Sequence, residues 1–297
     1  IMIVGVPKEI KNHEYRVGMT PSSVRELTSR GHKVLVQKNA GTEIGLSDEQ
    51  YLAVGAELVD TAKEIFERAE MIVKVKEPQP VECAMLRSGQ ILYTYLHLAP
   101  DPEQTAALVK SGAICIAYET ITGANGGLPL LAPMSEVAGR MSIQAGAAHL
   151  EKSKGGMGLL LGGVPGVAPA HIVIIGAGVV GTNAMQMAVG TGARVTVLDK
   201  SIDRLRQLDL VYGNRISTVY SNAQSIEEAV LSADLVIGGV LVPGAAAPKL
   251  VSRSLISRMK KGAVVVDVAI DQGGCFETSH ATTHAEPTYV VDGVIHY

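Results

Sequence analysis

The chain carries almost no excess charge. Its 26 lysines and arginines face 29 acidic residues, a formal net charge of −3, with a pI near 6.3. That balance gives no reason to expect nucleic acid or an anionic membrane as a partner. Cysteine is scarce as well. Cys83, Cys115 and Cys275 are scattered, odd in number and without metal-ligand spacing. They read as free thiols of a reducing compartment, so a cytoplasmic location is expected. No metal site is expected among the eight histidines either. The most apolar stretch, MGLLLGGVPGVAPAHIVIIGAGVVG from Met157, is broken by glycines, prolines and His171, which argues against a membrane span. The opening IMIVGVPKE reaches Lys8 and Glu9 too early for a secretory hydrophobic region.

What is present points to a folded α/β protein. Hydrophobic residues make up 47% of the 297 positions and mean hydropathy is +0.23, enough for two domains with apolar interiors. Short apolar runs alternate with helical patterns: IVGV (3–6), KVLVQ (33–37), MIVKV (71–75), ILYTY (91–95) and ICIAY (114–118). Helix-start signals lie between them. Thr20 precedes Pro21, Ser47 to Gln50 has capping-box spacing, and Asp101 precedes Pro102. A Gly/Pro-rich stretch (119–133) and a small-residue helical segment (135–152) follow. The alternation then restarts with HIVIIG (171–176), ARVTVLD (193–199), ISTVYS (216–221), DLVIGGVL (234–241), AVVVDVAI (263–270) and TYVVDGV (288–294). The expectation is two Rossmann-like, doubly wound parallel-sheet domains, 1–130 and 131–297, with a cleft between them.

The second domain opens on Gly176-Ala177-Gly178-Val179-Val180-Gly181, a GxGxxG run between an apolar strand and a helix, with Asp199 ending the next strand. In that context the run is a dinucleotide fingerprint. Gly176 permits the tight turn, Gly178 admits a pyrophosphate, and Gly181 allows close packing. Asp199 would bind both ribose hydroxyls and repel a 2′-phosphate, so NAD is favoured over NADP. Lys200 and Arg204 stand nearby and would soften that preference, unless they are solvated surface. Val240 and Leu241 end a later strand and would flank the cofactor.

Four further residues stand at expected strand ends, the ligand side of an open parallel sheet. Arg16, Lys76 and His97 belong to the first domain, and Asp271, in AIDQGG, to the second. A guanidinium, an ammonium and an imidazole together suit a small carboxylate and a proton transfer. Singly, each has a plainer reading: a surface ion pair, a snorkelling lysine, a loop histidine, a turn aspartate. Lys74 shares a strand face with Lys76 but lies deeper, and reads as a paired or snorkelling lysine.

GVPKEIKNHEYRVGMTP, VKVKEP, YTYLHLA, PLLAPMSEVAGRMS, LLGGVPGV and VDVAIDQGGCFETS, with GAGVVG between them, resemble the bacterial L-alanine dehydrogenases along essentially the whole chain. The resemblance implies oxidation of L-alanine with NAD to pyruvate, ammonium and NADH, and the reverse amination. It implies that Arg16 and Lys76 bind the substrate, His97 is the catalytic imidazole and Asp271 the acid where water and ammonia react. It further implies a ribose-binding Asp199, adenosine and ribose contacts at Ser221, Val240 and Leu241, and a hinge near the cofactor at Met134 and Ser135. Hexamers are the implied assembly, and family members continue beyond Tyr297 with a segment that completes the first domain. The NAD(H)-binding component of proton-translocating transhydrogenase shares the VPKE…RV…TP opening and is the rival reading. A non-catalytic dinucleotide-binding fragment and a lysine-pathway dehydrogenase are the more distant alternatives.

Overall fold

The computed structural model describes residues 1–242 and 245–297, and the chain forms two compact units, Ile1–Leu131 and Ala132–Tyr297. The first contains strands β1 (Ile3–Val6), β2 (Lys33–Gln37), β3 (Glu57–Val59), β4 (Met71–Val73), β5 (Ile91–Thr94) and β6 (Ile114–Ala117). Its helices are α1 (Pro21–Thr28), α2 (Asp48–Ala53), α3 (Ala62–Arg68), α4 (Pro80–Met85) and α5 (Pro102–Ser111). The start signals operate as read. Thr20 accepts from the Ser23 amide, Ser47 and Gln50 close a capping box, and Asp101 accepts from the Gln104 amide at 3.0 Å.

All pairings in this sheet are parallel, in the order β3-β2-β1-β4-β5-β6. Both faces are covered. Along β2, Val34 and Val36 enter one core with Val4, Val24 and Tyr51, while Leu35 enters the other with Phe66, Ile72 and Leu92. The chain reverses its direction of strand addition between β1 and β4, and the crevice of such a sheet opens at that point, beyond the strand C-termini. Two expectations change here. β3 has no counterpart among the runs, because ELV is too short and too polar to stand out. The run 71–75 stops at Val73, so Lys74 to Lys76 form the segment leaving the strand rather than its end.

The second unit repeats the plan. Its strands are β7 (His171–Ile175), β8 (Arg194–Asp199), β9 (Ser217–Tyr220), β10 (Leu235–Gly238), β11 (Val264–Asp267), β12 (Tyr289–Val291) and β13 (Val294–His296). Its helices are α6 (Ala132–His149), α7 (Val179–Gly190), α8 (Ile202–Tyr212), α9 (Ala223–Ser232) and α10 (Arg253–Arg258). The order is β12-β13-β11-β10-β7-β8-β9, parallel except for the β12–β13 hairpin, with the reversal between β7 and β10. Expected as one strand, 288–294 instead turns at Asp292-Gly293, both at positive φ, a turn that matches strand twist. The small-residue segment starts earlier than expected, at Ala132, and packs on α7. A Cβ on Gly139 would lie 2.3 Å from the Val180 carbonyl oxygen. Among the described residues no helix is long and apolar enough to cross a membrane.

Candidate functional site

The glycine loop joins β7 to α7 at the reversal of the second sheet. Each glycine answers to a different constraint. Gly176 has φ +102, and a Cβ there would meet the Gly239–Val240 backbone at 3.0 Å. A Cβ on Gly181 would fall 1.6 Å from the Gly176 carbonyl oxygen, so no other residue fits without opening the loop. Gly178 is exposed, with nothing within 4 Å of an added Cβ. It is also the N-cap of α7 and offers no side chain to the first-turn amides. An open glycine before uncapped amides fits a diphosphate, whose charge the helix N-terminus stabilises.

Asp199 ends β8 beside this loop. One carboxylate oxygen accepts from the Ala177 amide at 2.8 Å and the other from the Ser201 amide at 2.7 Å. Each oxygen keeps a lone pair for a ribose hydroxyl. Arg204 departs from the solvated-surface reading. Its guanidinium donates to the Ala177 carbonyl at 2.9 Å, to Thr182 Oγ1 at 2.8 Å and to Gln207 at 2.9 Å, so it braces the loop. Ser221 is buried just past β9, and Val240 and Leu241 follow β10. All lie along the same C-terminal edge. Met134 and Ser135 sit, half-buried, in the first turn of α6.

Asp271 lies past β11, as expected, but not directly at the strand's end, because the strand expected over 263–270 is shorter. The strand ends at Asp267 and residues 268–272 form a 3-10 turn. Asp271 is exposed and lines a cavity of about 290 Å³ with Ser142, Asp267, Ser279, His280 and Tyr297. Asp267, which sequence reasoning left without a role, organises this turn. Its carboxylate accepts from the Ala269 amide (3.1 Å), the Phe276 amide (3.3 Å), Cys275 Sγ (3.6 Å) and Ser279 Oγ (2.5 Å). Burial, reinforced by Asp267, pushes the Cys275 thiol far up, so it stays protonated and inert. A lone acid inside the apolar run AVVVDVAI was the available signal for Asp267. His280 and His284 do share i, i+4 spacing, but they lie in a segment with no helix to place both on one face. Among the described residues no group of three side chains could hold a metal ion.

In the first unit, Lys76 and His97 follow β4 and β5, and Arg16 follows β1. Lys76 is half-buried, its Nζ 3.8 Å from Glu77. His97 is exposed and takes φ +53, an uncommon conformation for a residue with a side chain. Glu119 holds it there, accepting from the His97 amide at 2.7 Å and the Leu96 amide at 3.2 Å. No described residue hydrogen-bonds the ring itself, which leaves both nitrogens open. Arg16 is half-exposed and already engaged. Its Nε and Nη2 grip Glu14 at 2.9 and 2.5 Å. That bond, against the cost of burial, holds the guanidinium pKa up. Burial raises the Glu14 carboxyl, but the bonds from Arg16 outweigh it and the net shift is down. Arg16 retains Nη1 for a second acid.

Lys74, the deeper lysine, is 1% exposed and lies between the buried carboxylates of Glu9 and Glu82. It is the paired lysine expected, and its two partners were the residues missed. Burial raises the Glu82 carboxyl, only partly offset by Lys74. On the flank of the same sheet, Met2, Val4, Leu27, Tyr93, Tyr95 and Tyr118 line a larger, mostly apolar cavity of about 660 Å³.

Residues 5–138 match the family described as alanine dehydrogenase/PNT, N-terminal domain, and residues 142–297 match its C-terminal domain. The chain is 64% identical over 296 residues to an alanine dehydrogenase of Halomonas elongata, covering all of this chain and 80% of that protein. It is 55% identical over 297 residues to the alanine dehydrogenase of Bacillus subtilis, covering 78% of its length. A solved L-alanine dehydrogenase superposes with a TM-score of 0.96 at 54% identity, over all of this chain and 82% of that one. A transhydrogenase from Sinorhizobium meliloti is more distant, with a TM-score of 0.84 at 29% identity over 99% of this chain and 85% of that one.

Proposed function

The chain belongs to the alanine dehydrogenase/PNT family, and from that premise we propose that it catalyses the reversible NAD-dependent oxidative deamination of L-alanine to pyruvate and ammonium. One observation carries the reading: two sheets with the same reversal present complementary chemistry. The second offers an open glycine, an uncapped helix and Asp199. The first offers the cations Arg16 and Lys76 with His97, whose imidazole is hydrogen-bonded by no described residue.

When bound, the nicotinamide accepts a hydride from the alanine Cα. The protein's part is orientation and proton movement. Arg16 and Lys76 hold the substrate carboxylate, the guanidinium as a planar fork and the ammonium as a point charge. Lys76 also stabilises negative charge on oxygen as the carbinolamine collapses. His97 and Asp271 take up and return the proton as water adds and ammonia leaves. Asp199 binds the ribose hydroxyls, Ser221, Val240 and Leu241 flank the adenosine and ribose, and Met134 and Ser135 lie near the cofactor. Gly176, Gly178 and Gly181 admit the diphosphate. Arg204 is committed to the loop, which leaves Asp199 to select NAD over NADP. A cytoplasmic homo-oligomer, a hexamer in the family's manner, completes the proposal, and the free thiols of Cys83, Cys115 and Cys275 suit that compartment.

The test is NADH oxidation followed by absorbance. Turnover should require pyruvate and ammonium together. NADH oxidation that proceeds with either omitted, or hydride passed only to another nucleotide, would replace this reading with the transhydrogenase one.

A further inference from the structure

The segment 74–76 leaves no backbone polar group unpaired. The Lys74 amide donates to the Tyr93 carbonyl at 3.0 Å and its carbonyl accepts from the Tyr118 hydroxyl at 2.8 Å. The Val75 carbonyl accepts from the Tyr95 amide at 3.2 Å, and the Lys76 carbonyl from Thr94 Oγ1 at 2.9 Å. The two remaining amides, of Val75 and Lys76, both donate to one oxygen of Glu9, at 2.5 and 3.0 Å. The other Glu9 oxygen takes the buried Lys74 ammonium.

Glu9 stands three positions past the end of β1, and Lys76 three past the end of β4. These are the strands on either side of the reversal. One buried carboxylate therefore ties together both walls of the crevice in the first sheet. The chemistry calls for a carboxylate. Three donors converge on it, and an ionised carboxyl is acceptor-only at both oxygens, whereas an amide would turn an NH₂ toward the ammonium or the backbone amides. Such charge-assisted bonds are also roughly twice as strong as neutral ones. A structural ion pair for Lys74 alone needs neither backbone bond, and Glu82 already stands 3.1 Å from its Nζ.

We propose that Glu9 is a positioning residue for the reaction: by holding the Val75 and Lys76 amides it fixes the point from which the Lys76 ammonium reaches the substrate acid, without touching substrate itself. The proposal rests on the reading of Lys76 as a substrate contact. It predicts a loss confined to the small acid. In Glu9→Gln the KM for pyruvate should rise at least tenfold, while the KM for NADH stays within twofold. Glu82→Gln, which removes the other carboxylate from Lys74 but leaves the two amide bonds, should change thermal stability and leave the pyruvate KM within twofold. If Glu9→Gln does not fold, Glu9→Asp keeps the charge on Lys74 but shortens the reach to the amides, and should show the same selective rise. A folded Glu9→Gln or Glu9→Asp enzyme with unaltered pyruvate KM overturns the proposal. So does an equal rise in the pyruvate KM for Glu82→Gln. A wild-type chain without pyruvate-dependent turnover would instead remove the reading on which the proposal rests.

Discussion

Replacing Lys74 by methionine removes the buried cation that lies between the carboxylates of Glu9 and Glu82. Glu9 keeps its two backbone donors. Glu82 keeps the Gln79 amide on Oε1, at 2.9 Å, but its Oε2 loses the ammonium that stands 3.1 Å away. The cost is bounded by the alternative open to Glu82, which is to take up a proton. For a carboxyl that ionises near 4.3 in the unfolded chain, protonation at pH 7 costs about 1.36 × 2.7, or roughly 3.7 kcal/mol. That falls within the ~3–5 kcal/mol typical of orphaning one partner of a buried pair. At pH 5 the same bound shrinks to about 1 kcal/mol. The sign follows from linkage: in the variant the folded carboxyl binds its proton more tightly than the unfolded one, so stability relative to wild type is regained as pH falls. At roughly 3–4 °C per kcal/mol, the transition of the first unit should drop by about 10–15 °C at pH 7 and by about 3–4 °C at pH 5. Scanning calorimetry at the two pH values reads this. A loss below about 2 °C at pH 7, or one that does not shrink on acidification, would show that Glu82 is not left as a costly buried carboxylate.

Lys76→Ala should show the opposite profile, abolishing turnover with little change in melting temperature; a stable, active Lys76→Ala would mean that the wrong lysine has been assigned to substrate. His97→Ala should reduce turnover by about 10²–10⁴ while NADH binding, followed by fluorescence, persists; near wild-type turnover would remove its catalytic role. Gly181→Ala places a methyl 1.6 Å from the Gly176 carbonyl oxygen and should weaken NADH binding at least tenfold, an effect that an unchanged titration would contradict. Burial holds the His171 and His296 imidazoles below their ordinary pKa. Their contribution to stability is thus complete above about pH 6.5 and is lost as pH falls below it. The melting temperature of the second unit should fall less steeply between pH 7 and 5 in His171→Gln than in wild type; identical slopes would exclude His171 as a source.

The parts of the fold legible in the sequence were those where one local rule decided the outcome. β2 reads directly from KVLVQ because both its faces are buried, and Thr20, Ser47 and Asp101 mark helix starts because each side chain satisfies an amide of the first turn. The dinucleotide loop was legible because Gly176 and Gly181 answer to steric limits that no other residue meets. Hidden were the features settled by distant partners. β3 exists because β2 pairs with it, not because ELV is strongly strand-like. The strand at 71–75 ends early because Glu9, 66 positions from Val75 in sequence, captures the amides that a strand would have given to a neighbour. Arg204 looks like surface until its guanidinium is seen on the Ala177 carbonyl. Asp292-Gly293 is the exception, a local turn signal present in the sequence and masked by the apolar residues on either side.

The reaction proposed for this chain moves a hydride from the Cα of alanine to NAD. The direct measurement is incubation with L-alanine deuterated at Cα and NAD, followed by mass analysis of the NADH formed. One deuterium per NADH is the expected result. NADH that forms without deuterium, or no NADH at all from alanine, would contradict it.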